Sequence, residues 1–397
     1  MQAAAPSIQD SQLDLLCRAL TDSALPGETE GFGQPECEAA ARLIVRAASA
    51  RRPGLPGIWV ESVGGPADAR RLRAAIVNED MPFLVDSVAG VLAARGVTVH
   101  RLLHPVLPAT PHADGLLFGQ GEPTSVIYME TDRVDARERR ELGAEIEAVL
   151  ADVRAAVTDW PAMGERLEAD AETIVGSEGA TFLLWLADHH FTLLGQARMR
   201  ADGAVSDPLG LFRTWAEPPL SGPSLGQAAA WFANGGAAPL LVKSTRSSTV
   251  HRRAPMDLLI VPAGDGFSVH AGLWTSAALR ESPERVPLLR ERLATLEAKL
   301  GFTPGGHADK ALRHAVASLP HDLSVALPAP SFERLVLTAM SLADRPRPHL
   351  LLVHDALGRH LFAFVWLGRD QLNTARRLAI GAMLSDAAQA PVAEGRR

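Results

Sequence analysis

The chain has 397 residues, of which 47% are hydrophobic, and its formal charge of −7 comes from 39 basic and 46 acidic side chains. This hydrophobic content argues against a wholly disordered chain, and at roughly 100–200 residues per domain the length predicts two to four domains. The acidic excess argues against a nucleic-acid partner, because nucleic-acid-binding proteins more often carry a basic excess.

Residues 1–55 predict a helical segment ahead of the first sheet. A first helix would have one short apolar face formed by Leu13, Leu15, Leu16 and Leu20, and the alanine-rich stretch 39–50 predicts a second helix. Pro53 and the glycine after it end that second helix, since neither residue continues a helix well.

Residues 56–165 predict an α+β domain. An extended segment at 57–63 is followed by strand, helix, strand, strand and helix, with a loop at 111–123. This order matches most of a ferredoxin-like βαββαβ unit, the type from which ACT domains are made. In chain order the predicted elements are strand 71–77, helix 82–95, strand 97–107, strand 125–131 and helix 135–160.

Residues 176–325 predict a second α+β domain with a mostly antiparallel sheet. A proline-rich stretch at 208–226 predicts a long loop between its strands. The predicted elements are helix 180–188, strands 191–199, 240–243, 256–262 and 267–274, and helices 284–300 and 308–319.

Residues 330–397 predict a third ACT-like domain. A helix at 332–343, for which Ser331 is a plausible N-cap, precedes strands at 349–354 and 360–367 and a helix at 373–388. No closing strand follows the last helix. We therefore expect this domain to be incomplete and the polypeptide to be a fragment or the product of a truncated gene.

The two cysteines, Cys17 and Cys37, form no CxxC pair, so no zinc ribbon or redox motif follows. So few cysteines in so long a chain fit a reducing cytoplasm. Residues 1–10 lack the pattern of a secretory signal, and the most apolar stretch, 350–367, is interrupted by charged residues. We expect a cytoplasmic protein with no membrane partner.

The sequence lacks the common motifs of a nucleotide or catalytic site. The nearest approaches to GxGxxG, at 119–121 and 264–266, lack the third glycine and do not open a helix. No Walker A, HExxH, GxSxG or EF-hand pattern occurs. His100, His104 and the pair His189-His190 show no further ligand that would complete a metal site. We predict no catalytic residue, no metal and no bound cofactor in this chain.

A polar run at 78–87 lies where the first predicted strand meets its helix. In ACT-type units the loop at this junction is a common ligand contact, so Asn78 and Asp80 are candidates for binding the amino group of an effector amino acid. Asp86 and Ser87 complete the candidate set. The simpler alternative is that Asp80 caps the helix, whose N-terminus attracts acidic side chains.

A second polar run, 243–253, combines positive side chains with hydroxyl groups. Lys243, Arg246, His251 and Arg252 are candidates for holding a phosphate or carboxylate. The run could equally be a solvated connection between strands or a contact between subunits. A dehydrogenase lysine needs a closed cleft beside a nucleotide, and no nucleotide fold is visible near Lys243, so we do not expect it to be catalytic.

Taken together, several blocks of sequence resemble the large bacterial NAD-specific glutamate dehydrogenases. The resemblance covers residues 70–380. Its blocks are 77–88, 99–106, 182–195, 243–253, 273–278, 286–290 and 301–312.

The resemblance implies a tandem of ACT-like and PAS-like modules with antiparallel sheets and packed helices, in the N-terminal part of a long homo-oligomeric enzyme. Such enzymes convert L-glutamate, NAD and water into 2-oxoglutarate, ammonium and NADH. Their NAD-binding and catalytic residues lie in a C-terminal region that this chain does not include. The implied partners are a second copy of the chain, that catalytic region and an amino-acid effector.

Two other functions stay open on the sequence alone. The chain could be a stand-alone amino-acid-sensing or protein-interaction module, or it could be an independent enzyme with an unrecognised site around 243–253. Turnover by this chain alone would be needed for the second.

Overall fold

The computed structural model describes residues 8–64, 71–113 and 115–392. The chain divides into two compact units: unit 1 is formed by Met1–Val157 with Thr249–Arg253, and unit 2 by Thr158–Ser248 with Ala254–Arg397. The four-segment division expected from the sequence stays a prediction.

Unit 1 is an α+β unit whose elements follow the predicted order closely. Its helices are α1 (Ile8–Asp22), α2 (Gln34–Ala50), α3 (Leu84–Ala94) and the long α4 (Ala136–Thr173), whose last residues belong to unit 2. Its strands are β1 (Gly57–Val63), β2 (Arg71–Glu79), β3 (Val99–Leu103), β4 (Val106–His112), β5 (Gly115–Phe118) and β6 (Glu122–Asp132).

The sheet of unit 1 is antiparallel throughout. Its strand order is β1-β2-β6-β4-β5. The short strand β3 stands outside this order, because β3 and β4 both pair with β6, along different parts of it. In a βαββαβ unit the last strand lies beside the first. Here β1, which precedes the unit in the chain, occupies that position beside β2, and the prediction of an α+β fold with antiparallel sheets is confirmed.

Both faces of this sheet are buried at β2. Successive side chains of a strand point to opposite faces. Ala75 and Val77 of β2 share a core with α1 and α2, whereas Ala74 and Ile76 point to the other face and are buried as well. Strands covered on both faces are apolar nearly throughout, which explains why apolar and polar residues alternate little along β2.

Two sequence predictions in unit 1 were wrong. The predicted strand 97–107 is two strands, and the predicted loop 111–123 contains the hairpin strand β5 and the start of β6. Proline indicates a strand end because it lacks an N–H donor, but its carbonyl still accepts. The N–H of Gly119 donates to the carbonyl of Pro108 at 2.7 Å, so β4 runs through that proline.

Unit 2 combines two sheets with a set of packed helices. Its strands are β7 (Phe191–Arg200), β8 (Val205–Gly210), β9 (Leu240–Ser247), β10 (Pro255–Ala263), β11 (Gly266–Trp274), β12 (His349–His354) and β13 (Leu361–Trp366). Its helices, besides the end of α4, are α5 (Glu178–Trp185), α6 (Gly222–Ala233), α7 (Ser276–Arg280), α8 (Leu289–Leu300), α9 (His307–Ser318), α10 (His321–Ala326), α11 (Ala329–Asp344) and α12 (Thr374–Ala388).

The larger sheet of unit 2 has the order β8-β7-β11-β10-β9 with antiparallel neighbours, as expected, and β12 and β13 form a two-stranded sheet. The predicted loop at 208–226 holds the end of β8 and the start of α6 instead. Pro223 lies in the first turn of α6. Proline is accepted there because the first N–H groups of a helix have no partner within it, so this proline marks a helix start.

Across the part of the chain that the structure describes, no helix has the length and apolar character needed to cross a bilayer.

Candidate functional site

The end of β2 gathers polar side chains from three elements of unit 1. Asn78 is 2% exposed, and both polar atoms of its amide are hydrogen-bonded. Its Nδ2 donates to the carbonyl of Glu79 at 2.9 Å, and its Oδ1 accepts from Nη2 of Arg154, on α4, at 3.0 Å. Asn78, a predicted effector contact, therefore acts here as a support that orients Arg154.

Glu79 lies between two arginines. Its Oε1 accepts from Nη2 of Arg51, the residue that ends α2, at 3.0 Å, and its Oε2 accepts from Nη1 of Arg154. The hydrogen bond from Arg154, followed by the charges of Arg154 and Arg51, lowers the pKa of Glu79 despite partial burial. The glutamate side chain is 47% exposed, whereas those of Arg51 and Arg154 are 14% and 24% exposed, so the carboxylate covers the arginines from the solvent side.

Asp80, the next residue, is exposed, and its backbone N–H donates to the carbonyl of Pro123 at 3.2 Å. Its carboxylate acts electrostatically on His104, whose pKa is nonetheless lowered by burial. The imidazole Nε2 of His104 lies 2.6 Å from Oγ of Ser125. The idea that Asp80 caps the following helix is wrong, because Phe83 is the N-cap of α3 and no side chain caps it.

The other two predicted effector contacts meet a residue from the predicted anion group. Asp86 and Ser87 lie in the first turn of α3, and Thr249–Arg253 belongs to the same unit. The backbone N–H of His251 donates to Oγ of Ser87 at 2.9 Å, and Nδ1 of His251 lies 2.9 Å from Oδ2 of Asp86. The structure thus brings together residues that the sequence assigned to two separate sites.

Further contacts hold the segment Thr249–Arg253 in unit 1. Oγ1 of Thr249 donates to Asp152 at 2.8 Å, and Nη2 of Arg253 donates to Glu145 at 2.6 Å. His251 has a φ of 66°, and Phe83, whose ring centroid lies 5.1 Å from that of His251, has a φ of 72°. Both residues have a backbone conformation that is unfavourable for residues other than glycine. Such a conformation persists only where surrounding contacts hold it, and the contact between the two rings is one of these.

Two of the remaining anion candidates, Lys243 and Arg246, lie in unit 2, and each is paired with acidic side chains. Lys243 is 4% exposed, and its Nζ lies 2.8 Å from Oδ1 of Asp257 and 2.7 Å from Oδ2 of Asp322. Burial alone would lower the pKa of Lys243, but the two carboxylates outweigh burial and raise it. Lys243 is thus a buried, charged structural lysine.

Arg246 donates to Glu217 at 2.7 Å and lies 4.4 Å from the ring centroid of Trp215. Arg252, like His251, belongs to unit 1, so the four residues are divided between the units. Their binding of an external anion stays a prediction.

A buried Ser–His–Asp group in unit 2 lacks the arrangement of a catalytic triad. Nε2 of His270 lies 2.7 Å from Oδ2 of Asp170 and 3.3 Å from Oγ of Ser268. In a catalytic triad, one ring nitrogen of the histidine contacts the nucleophile and the other contacts the carboxylate. Here the same nitrogen, Nε2, lies near both the serine and the aspartate. All three side chains are fully buried, which makes this a structural network.

Among the described residues, no group of three or more His, Cys, Asp or Glu side chains could hold a metal ion. The residues that sequence reasoning missed are Glu79, Arg51 and Arg154. Glu79 stood inside the polar run 78–87, but the two arginines belong to helices with no motif around them. Only their convergence on one carboxylate distinguishes them.

Two regions of the chain match known protein families. Residues 34–146 match the model described as glutamate dehydrogenase, ACT1 domain, and residues 286–345 match the model described as glutamate dehydrogenase, helical motif 1. The first match includes Arg51, Glu79 and Asp80, so the end of β2 lies within an ACT domain.

Curated relatives carry the same family name. The chain is 28% identical over 356 residues to an NAD-specific glutamate dehydrogenase of Halomonas elongata, and 30% identical over 358 residues to one of Pseudomonas aeruginosa. Each alignment covers 79% of this chain and 22% of the relative. The chain therefore spans about 22% of the length of these relatives. From the two domain matches and these identities together, the chain is a member of the NAD-specific glutamate dehydrogenase family.

Proposed function

We propose that this chain is a regulatory and oligomerisation region of an NAD-specific glutamate dehydrogenase. The whole enzyme would convert L-glutamate, NAD and water into 2-oxoglutarate, ammonium and NADH. In this proposal NAD and the catalytic residues belong to a C-terminal region, and this chain takes no part in the chemistry. The single observation that carries the proposal is the ACT1 match over 34–146, which includes Arg51 and Glu79 of the charged cluster at the end of β2.

The cluster suits an amino acid as effector. A free amino acid carries a carboxylate and an ammonium group a few bonds apart, so its site needs cations and an acid close together. Arg51 and Arg154 supply the cations, and the acid that we propose for the ammonium group is Asp80, which follows Glu79 in the chain and is exposed. An effector that binds one arrangement of the enzyme better than another would shift the enzyme toward that arrangement, with a coupling free energy of typically about 1–3 kcal/mol.

The proposal extends to the rest of the chain. The five-stranded antiparallel sheet of unit 2 supports a PAS-like module, and the hairpin β12–β13 with α11 and α12 supports a further ACT-like domain over 330–397. Partners would be further copies of the chain and the catalytic region. A cytoplasmic location is supported by the two free thiols, Cys17 and Cys37.

A stand-alone amino-acid-sensing module is the second candidate, and the same cluster at β2 favours it. The two functions differ in one respect only: a regulatory region changes the turnover of a dehydrogenase, whereas a stand-alone sensor binds its ligand without doing so.

The test is NADH formation from L-glutamate and NAD, followed by absorbance. We would assay the purified 397-residue chain alone, the catalytic region alone, and the two combined, each with and without single L-amino acids. We expect no turnover by the chain alone, and a combined activity that responds to an amino acid. Turnover by the chain alone would overturn the proposal. Binding of an amino acid with no change in combined activity would favour the stand-alone sensor.

A further inference from the structure

We propose that Arg51 and Arg154 form the carboxylate subsite for the amino-acid effector, and that Glu79 is a built-in competitor which fills this subsite while no effector is bound. The inference rests on the proposed regulatory function, because it names the site of the effector and the side chain with which the effector competes. It is carried by the geometry of a single carboxylate held between two arginines from different helices.

The arginines form a preassembled pair. Arg51 ends α2 and Arg154 lies within α4, yet each donates to a different oxygen of the same carboxylate. Arg154 is also held by the buried amide of Asn78, at 3.0 Å, independently of Glu79. Guanidinium groups present fixed N–H donors that match the two oxygens of a carboxylate, so this pair would accept a free carboxylate in the same way.

Glu79 is the component that can leave. Its side chain is 47% exposed, about twice as exposed as Arg154 and over three times as exposed as Arg51, so it can rotate into solvent while the arginines stay in place. Two partly buried guanidinium groups without a counter-ion are costly. A departing glutamate must therefore be replaced by another carboxylate, and this exchange is the competition that we infer.

The neighbouring acid restricts the class of ligand. Asp80 follows Glu79 directly and is exposed. Its side chain gives this end of β2 a solvent-exposed acid, next to Glu79 in the chain, for the ammonium group of a ligand. An α-amino acid is therefore the ligand class that we test, with its N-acetyl derivative as the ligand that lacks the ammonium group.

A second glutamate in unit 1 provides a matched control. Glu145 on α4 also accepts hydrogen bonds from two arginines, Arg95 at 2.7 Å and Arg253 at 2.6 Å. Arg95 is already shared there with Glu141, 3.7 Å away, so loss of the Glu145 charge leaves an acid beside Arg95. Glu145→Gln changes the net charge of the protein by the same amount as Glu79→Gln, without freeing the inferred subsite.

The experiment is calorimetric titration of the 397-residue chain with each L-amino acid singly, then with the amide and the N-acetyl derivative of any that binds. Wild type, Glu79→Gln, Glu145→Gln and Arg154→Gln would be compared, with thermal melting as a check of folding. We expect Glu79→Gln to bind about tenfold more tightly than wild type, because its competitor has lost its charge. We expect Glu145→Gln to match wild type and Arg154→Gln to lose binding. The amide, which lacks the carboxylate, should bind to no variant.

Equal affinity of Glu79→Gln and wild type would overturn the inference, as would binding of the amide or absence of any amino-acid binding by Glu79→Gln. These results are distinct from failure of the proposed function. An amino acid that binds wild type and all variants alike would leave the regulatory function intact and place its site elsewhere. Turnover by the chain alone would overturn the regulatory function without bearing on Glu79. If Arg154→Gln does not fold, the comparison of Glu79→Gln with Glu145→Gln decides by itself.

Discussion

Nδ1 of His251 lies 2.9 Å from Oδ2 of Asp86, although 165 positions separate these residues in the chain. The N–H of the same histidine donates to the buried hydroxyl of Ser87 at 2.9 Å. The imidazole and the carboxylate are 38% and 57% exposed, so water screens their interaction. The hydrogen bond from the N–H of His251 to the buried hydroxyl of Ser87 is therefore expected to hold the segment Thr249–Arg253 more strongly than the ion pair.

This comparison makes the first prediction. Ser87→Ala removes the hydroxyl that accepts from the N–H of His251. It should lower the free energy needed to open the segment by about 1–3 kcal/mol. Asp86→Asn removes only a partly exposed charge and should lower this opening free energy by less than about 1 kcal/mol. Hydrogen exchange of peptides covering 249–253 measures both changes. Faster exchange in Asp86→Asn than in Ser87→Ala would contradict the expected order.

The backbone of His251 makes a second prediction. Its φ of 66° is unfavourable for any residue with a Cβ atom but not for glycine. His251→Ala and His251→Gly both lose the imidazole, so their difference isolates the backbone. We expect His251→Gly to be more stable than His251→Ala by about 1 kcal/mol in urea unfolding, the reverse of the usual order. An alanine variant of equal or greater stability would show that this conformation is not strained.

The buried Lys243 makes a third prediction. Lys243→Met would leave the carboxylates of Asp257 and Asp322 buried without their cation, which should lower the free energy of unfolding by about 3–5 kcal/mol. Lys299→Met is the control in the same unit, because Lys299 is 59% exposed and pairs with Glu333 at 2.7 Å. That change should cost less than about 1 kcal/mol. Similar losses in the two variants, measured by thermal denaturation, would be inconsistent with a structural role for Lys243.

His104 makes a prediction about pH. Burial lowers the pKa of His104 below its ordinary value of 6.5, so the unfolded chain binds a proton that the folded chain resists. Its contribution to stability is complete above pH 6.5 and declines as pH falls below that value toward the lower folded pKa.

His104→Gln cannot be protonated, so between pH 6.5 and 5 its unfolding free energy should fall less steeply than that of wild type. Urea unfolding at stepped pH compares the two slopes. Equal slopes would mean that His104 is not the group responsible.

The space around two glycines of unit 1 leads to a fifth prediction. A Cβ atom on Gly57 would lie 2.0 Å from the carbonyl oxygen of Ala47, whereas one on Gly143, within α4, would meet nothing within 4 Å. Gly57→Ala should therefore destabilise the protein by several kcal/mol because backbone must move. Gly143→Ala should stabilise it by about 1 kcal/mol, since alanine is the better helix former. Thermal melting of the two variants in opposite directions is the expected result.

Much of the architecture follows from local sequence patterns. The apolar spacing over α2, α3 and α4 predicts their positions because helix formation depends on neighbours three and four residues apart. The strands β12 and β13 are equally visible, since a short turn containing Gly358 separates two apolar runs. Where prolines intervene, as at Pro108, the local signal fails because pairing with β6 and a hydrogen bond to the carbonyl outweigh the missing donor.

The candidate site was predictable only in part. The polar run containing Asn78 and Asp80 marks the end of β2, and its position before a helix can be read from local spacing. Arg51 and Arg154 cannot be found in this way, because their meeting at Glu79 depends on how α2 and α4 pack on the sheet.

The sequence by itself determined most of the helices and strands of this protein and its resemblance to the NAD-specific glutamate dehydrogenases. Only the tertiary structure decided which polar side chains meet. Sheet register and helix packing bring His251 to Asp86 and surround Lys243 with two carboxylates. The physical reason is that secondary structure is set by neighbours a few positions away, whereas a site is assembled from residues that are distant in the chain and close only after folding.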